Sequence, residues 1–137
     1  MRVLPCANAP AIYQACYWTG PKFDQVAAIC TAIGHEMFDT GINMGVAVAG
    51  RFLQRALNAV NDGEATYPDI RVDGNTGLIT LAALRGFVKR RGVAGGEVLR
   101  RALDCQQGER YLDITEVGKA NEPFTYGWLA NRIGELA

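Results

Sequence analysis

Apolar side chains recur every three or four residues along most of the chain, which is the spacing of one face of an α-helix. This periodicity predicts a short helix over residues 9–18, a second helix that begins near Asp24 as its N-cap, and a third over residues 46–60. The predicted apolar faces are Ile12, Tyr13, Cys16 and Tyr17 in the first helix, Val26, Ile29, Cys30, Ile33 and Met37 in the second, and Phe52, Leu53, Leu57 and Val60 in the third.

The middle of the chain interrupts this periodicity with turn-forming residues. Asn61-Asp62-Gly63 predicts a turn, and residues 69–74 predict one short extended piece that ends in a second Asp-Gly turn. Helical spacing resumes over residues 78–91, where Gly92 closes the helix, and again over residues 96–115, before a last amphipathic turn or two. The predicted inward residues are Leu81, Leu84, Phe87 and Val88, then Val98, Leu99, Leu103, Tyr111 and Leu112, and finally Phe124, Trp128, Leu129 and Ile133. These patterns predict an all-α fold of about five to six helices in one compact domain over residues 1–137.

Charge and hydropathy narrow the classes of function. Fourteen basic and fourteen acidic residues give a net charge of zero, which argues against a nucleic-acid partner. The most apolar stretch, residues 26–50, contains His35, Glu36 and Asp39, so no membrane span is predicted. Too few apolar residues separate Arg2 from Ala7-Asn8-Ala9 for a signal peptide, and we expect the chain to be cytoplasmic as synthesised.

Cysteine and histidine usage gives no metal or cofactor signal. The four cysteines, at positions 6, 16, 30 and 105, are unevenly spaced, and His35 is the only histidine. A zinc site needs about four thiolate or imidazole ligands at short spacings. No metal and no cofactor are therefore predicted, and the thiols are expected to be free and buried.

The second half of the chain contains a recurrent motif order. Phe52-Leu-Gln-Arg-Ala-Leu57 precedes Val72-Asp-Gly-Asn-Thr-Gly77, and an Ala-Leu helix with Thr80, Leu84 and Phe87 follows. Gly74 and Gly77 are expected to supply positive φ for a tight loop, and Asn75 or Thr76 to cap the next helix. This order resembles the small helical peptidoglycan-binding modules. Such a loop would present polar groups at the mouth between two helices, where a glycan or peptide stem could sit.

A wider series of landmarks covers nearly the whole chain. In order, these are Ile12-Tyr13, Tyr17-Trp18, Met37-Phe38-Asp39, Asn43-Met-Gly45, Leu53-Gln54 and Tyr126-Gly127-Trp128-Leu129 with Asn131-Arg132. The series resembles glycoside hydrolase family 108, the lysozyme-like N-acetylmuramidases of phage endolysins and secretion-associated muramidases. The resemblance implies a lysozyme-like helical fold. Residues 1–50 would be the remnant of a muramidase-like lobe, and residues 51–137 a peptidoglycan-binding-like segment with the terminal helices.

The candidate site residues follow from this resemblance and from side-chain chemistry. The family carries its catalytic acid in an N-terminal Glu-Gly-Gly-Tyr segment, and Glu-Gly-Gly occurs nowhere in this sequence. Glu36 and Asp39, three apart on one helix, share a face and form an alternative pair of carboxylates, so Glu36 is the candidate catalytic acid. The candidate substrate-binding residues are Tyr17, Trp18, Asp39, Asn43, Asp73 and Asn75.

Three hypotheses for the whole protein remain open. The first is a peptidoglycan-directed, muramidase-like protein that binds cell-wall glycan without the family's proton donor, acting at the cell wall after release. The second is a non-enzymatic helical module that binds a protein partner or a second copy through apolar surface uncovered by the missing segment. The third is an enzyme of the muramidase type that uses Glu36.

Overall fold

The fold is a set of helices joined by short breaks and one longer loop. The computed structural model describes residues 15–61, 67–118 and 122–132, and within these ranges it contains no β-strand. A π-helical turn at Ala15–Thr19 precedes α1 (Phe23–Ile29), α2 (Thr31–Met44), α3 (Val46–Ala59), α4 (Leu78–Val117) and α5 (Glu122–Arg132). The prediction of an all-α fold is confirmed. Most of the predicted first helix, residues 9–14, lies outside the described residues, as do Cys6 and Ile133.

The predicted second helix is two helices, because the chain breaks at Cys30. Cys30 has extended backbone angles of φ −148° and ψ 107°, and α1 folds back against α2 at this point. The two helices approach so closely that a Cβ atom added to Gly34 would lie 2.4 Å from the Cβ of Ala27. The predicted N-cap is also wrong, since α1 begins at Phe23 after Lys22, whose φ is +68°. The helix therefore ends here because of this tertiary contact, since the sequence has no helix-breaking residue at this point.

The two later helices agree with the sequence pattern at the backbone level. α3 covers Val46–Ala59 as predicted. Gly92, with φ 69° and ψ −156°, divides α4 into two halves where the sequence predicts a helix stop. Three residues predicted to point inward are exposed, namely Val98, Leu112 and Phe124. The side chain of Trp128 lies outside the described part of the structure.

One apolar core joins the early and the late helices. α2 contacts α1, α3 and α4, and α4 also contacts α1 and α5. The most deeply buried apolar side chains are Phe23 and Val26 of α1, Ile33 and Met37 of α2, Leu53 and Leu57 of α3, and Leu81, Leu84, Leu99 and Leu103 of α4. Residues from both ends of the chain therefore share one set of packing contacts.

Two further expectations can be compared with the described residues. Cys16, Cys30 and Cys105 are free thiols, and the expectation of burial is wrong for Cys16 and Cys105, which are exposed. Cys30 is half-buried and packs against the core. Both exposed thiols lie on outward helix faces. Among the described residues, no helix combines the length and the apolar character needed to cross a membrane.

Candidate functional site

Three amide side chains, two on α3 and one just beyond its end, hold the loop that follows the helix. Gln54 and Asn58 are four residues apart on one side of α3, and Asn61 follows the C-cap residue Val60. The Asn58 Nδ2 donates to the Ile70 carbonyl oxygen at 2.8 Å, and its Oδ1 accepts from the Ile70 N–H at 2.8 Å. Asn61 contacts the same segment, since its Oδ1 accepts from the Tyr67 N–H at 3.3 Å. These side chains satisfy backbone groups that have no strand partner.

Gln54 is the most extensively bonded of the three amides. Its side chain is 1 % exposed. The Oε1 accepts from the backbone N–H groups of Asp73 and Gly74, at 3.0 and 2.8 Å. The Nε2 lies 2.9 Å from Asp73 Oδ1, 3.0 Å from the Asn75 carbonyl oxygen and 3.1 Å from Thr80 Oγ1. Gln54 thereby fixes residues 73–77, here called the clamp loop, against α3 and the start of α4.

The clamp loop itself is tight and polar. Asp73 Oδ1 accepts from the Asn75 N–H at 2.9 Å, and this bond, followed by the bond from Gln54, lowers the pKa of the Asp73 carboxyl. Gly74 has the predicted positive φ, +80°. Gly77 does not, because it takes φ −102° as the N-cap residue of α4, and no side chain caps that helix. The expected capping by Asn75 or Thr76 is therefore wrong.

Two open clefts flank the clamp loop, and Asp73 and Asn75 line both of them. One cleft, of about 350 Å³, lies between the loop and the first turn of α4, with Arg71, Leu78 and Ile79 on its walls. The other, of about 270 Å³, lies between the loop, residues 20–22 and the start of α3. Leu78 and Ile79 are 78 % and 73 % exposed. The site thus combines a carboxylate, an amide and a guanidinium with exposed aliphatic surface, which suits a ligand with both polar and apolar groups.

Glu36 belongs to a different group of residues, between α2 and the second half of α4. Burial raises the pKa of Glu36 to about 8, with a further contribution from its hydrogen bond with Asp104. Asp104 is 6 % exposed, and its Oδ2 accepts from Arg100 Nη1 at 2.9 Å. Its Oδ1 is buried and meets no other donor among the described residues. Glu36 and Asp104 thus form a carboxyl pair between α2 and α4, beside the Arg100 guanidinium.

None of the remaining predicted site residues lines the clefts, and Asp39 adds to the raised pKa of Glu36. Trp18 packs on α2, with its ring 5.8 Å from the ring of His35 and 5.5 Å from that of Phe38. Asn43 is exposed and donates from Nδ2 to the Asp39 carbonyl oxygen at 2.8 Å. The residues that line the two clefts do not include Tyr17, Trp18, Asp39 or Asn43. Asp39 contributes less to the pKa of Glu36 than Asp104 does, so the main carboxylate partner of Glu36 comes from another helix.

Several residues of these sites are absent from the sequence-based predictions. They are Asn58, Asn61, Arg71, Leu78, Ile79, Arg100 and Asp104. Asn58 and Asn61 carried a usable signal, because an amide every three or four residues beside an apolar stripe indicates a second, polar contact face. Asp104 carried none, since its proximity to Glu36 depends on how α4 crosses α2.

The fold and the clamp loop define an all-α module in which the described helices share one core. Residues 48–133 match the family model described as a predicted peptidoglycan domain, and the chain belongs to this family. Residues 1–45 match the model of glycosyl hydrolase family 108. The protein is therefore a muramidase-like protein directed at cell-wall glycan, and the resemblance seen in the sequence is confirmed. No curated protein matches the chain.

Proposed function

We propose that the protein binds peptidoglycan through the two clefts beside the clamp loop. The observation that carries this proposal is the buried Gln54, which fixes the loop through both of its amide atoms. A loop that is rigid before binding loses little conformational freedom when a ligand arrives. Asp73 and Asn75 are exposed at its tip and line both clefts.

The chemistry of the clefts matches that of a glycan with acetamido and peptide groups. The Asp73 carboxylate accepts hydrogen bonds from hydroxyl or amide N–H groups, and the Asn75 side chain both donates and accepts. Arg71 offers a guanidinium to a carboxylate of the ligand. Leu78 and Ile79 supply apolar surface for the face of a sugar ring or for a methyl group.

Binding to purified sacculi tests the proposal. In Asn75→Ala the backbone groups that hold the loop remain, because the bonds to Gln54 and Asp73 use the carbonyl oxygen and the N–H of residue 75. We expect this variant to bind sacculi about tenfold more weakly at unchanged Tm. Asp113→Asn, on an exposed part of α4, is the control and should bind normally. Unchanged binding by Asn75→Ala would reject the clefts as the site.

A second candidate function is cleavage of the glycan with Glu36 as general acid. The observation that favours it is the burial of Glu36 beside Asp104, which raises the pKa of Glu36 to about 8, because a glycosidase needs a carboxyl group that is still protonated near neutral pH. The Glu36 proton would pass to the glycosidic oxygen as the bond to the anomeric carbon breaks. Water would supply the hydroxyl to that carbon, and its other proton would return to the Glu36 carboxylate. Glu36→Gln should then abolish the clearing of cell-wall suspensions. Clearing by this variant at the wild-type rate would exclude the role.

A role in protein interaction has its own supporting observation, on α5. Phe124 and Tyr126 are 58 % and 84 % exposed, and large exposed aromatic residues are common at interfaces. If a second copy covers them, the molar mass from light scattering should rise with concentration, and Phe124→Ser should prevent the rise. A constant monomer mass would argue against self-association.

A further inference from the structure

The largest of the described cavities lies at the kink of α4, away from the clamp loop. It has a volume of about 590 Å³, within the range of small-molecule sites. The end of α3 and the two halves of α4 border this open space, and the residues on its walls include Ala59, Val60, Phe87, Arg91, Ala94 and Val98. This space is here called the kink cavity. Neither cleft of the clamp loop shares a residue with it.

Arg91 is the one charged residue on the described walls of the kink cavity. None of the ion pairs of the described residues involves Arg91, and its side chain is exposed. A guanidinium beside apolar walls pairs best with a planar carboxylate, which it can bind through two parallel hydrogen bonds. The ligand should therefore carry one carboxylate.

The other walls define the body of the ligand. Ala59, Ala94 and Gly95 are small, and they leave space between Phe87 and Val98. A Cβ atom on Gly95 would lie 2.1 Å from Arg91 Cβ and 3.3 Å from Phe87 Cε2, so glycine at this position lets the arginine stem lie along the cavity. Such walls accept methyl-sized groups and provide no partner for a second charge.

We propose that the kink cavity binds the carboxylate end of a short peptide with methyl side chains, and that Arg91 pairs with the carboxylate. The alanine ends of peptidoglycan peptide stems have this chemistry. The site is argued from its own walls, and only the choice of this peptide as ligand rests on the proposed function.

Calorimetric titration with one peptide in two forms tests the proposal. The probes are diacetyl-Lys-D-Ala-D-Ala with a free carboxylate and the same peptide as its C-terminal amide. We expect the acid to bind about tenfold more tightly than the amide. In Arg91→Gln, the affinity for the acid should fall to the affinity for the amide. Arg85→Gln, an exposed position on the same helix, is the matched control and should change neither. Ala94→Leu, which fills the cavity, should weaken both forms.

The outcomes separate this site from the clamp loop. The Asn75→Ala variant should bind the acid peptide with wild-type affinity while its binding to sacculi is reduced. Loss of peptide binding in Asn75→Ala would place the peptide in the clefts and overturn the proposal. Equal affinity for acid and amide, no binding of the acid by the wild-type protein, or no effect of Arg91→Gln would overturn it as well.

Discussion

The almost fully buried side chain of Gln54 uses both ends of its amide. Its oxygen accepts hydrogen bonds from two backbone N–H groups, and its nitrogen lies within hydrogen-bond distance of three acceptors. Gln54→Glu removes the donor and places a second carboxylate next to Asp73 Oδ1, which lies 2.9 Å from the present amide nitrogen. We expect this variant to lose about 2–3 kcal/mol of unfolding free energy. Its binding to sacculi should be lost as well, because the clamp loop is no longer held. Urea denaturation measures the loss. Gln25→Ala, on an exposed face of α1, should change stability by less than about 0.5 kcal/mol.

Glu36 makes stability depend on pH in a direction opposite to that of most carboxylates. Its pKa is about 8 in the folded protein and near 4.5 when unperturbed, so the folded state retains a proton that the unfolded state loses. The stabilisation that comes from protonated Glu36 is therefore fully present below about pH 4.5, and it is lost as the pH rises through about 8. Tm should fall by a few degrees from about pH 6 to about pH 9, and less so in Glu36→Gln. Glu109→Gln, at an exposed position, should keep the wild-type slope. An identical slope in Glu36→Gln would contradict the raised pKa of Glu36.

Between elements, the close approach of α3 and the clamp loop can be tested with two glycines. A Cβ atom on Gly50 would lie 2.5 Å from the Gly74 carbonyl oxygen, whereas a Cβ atom on Gly77 would meet nothing closer than 3.8 Å. Gly50→Ala should push the loop away from α3, cost about 1–3 kcal/mol and weaken sacculus binding. Gly77→Ala, in the same loop and at φ −102°, should be nearly neutral. Thermal unfolding and a sacculus pull-down compare the two variants.

At the level of helices, the predictions hold where the local sequence determines the backbone conformation. Gly92 ends a helical run because glycine reaches φ 69° at no steric cost, and α3 follows its apolar periodicity. They fail at Cys30, where the residue itself favours no break and the packing of Ala27 on Gly34 sets the chain direction. Spacing alone predicts that Val98 and Leu112 point inward, but both are exposed, because spacing does not show which helix face has a neighbour.

For the molecule as a whole, the sequence located the clamp loop but not the contacts that cross the fold. Leu53-Gln54 and the Asp-Gly turn are close enough in sequence to be recognised as one pattern, and the structure joins them through Gln54. Glu36 and Asp104 lie 68 positions apart (104 minus 36). Their contact follows only from the crossing of α2 and α4. Burial and partner identity, which determine the chemistry of Glu36, are therefore properties of the assembled helices.

The shared core predicts that the whole chain unfolds as one unit, although its two parts match two family models. Ile33 in α2 and Leu103 in α4 are 0 % and 1 % exposed and belong to the same apolar cluster. Because α2 packs directly on α3 and α4, neither part can open without exposing the other. Ile33→Ala and Leu103→Ala should each cost about 2–5 kcal/mol and should shift one common transition, measured in parallel by far-UV circular dichroism and tryptophan fluorescence. Two separate transitions, of which each substitution moves only one, would show two independent folding units, in which case binding at the clamp loop would survive unfolding of α1 and α2.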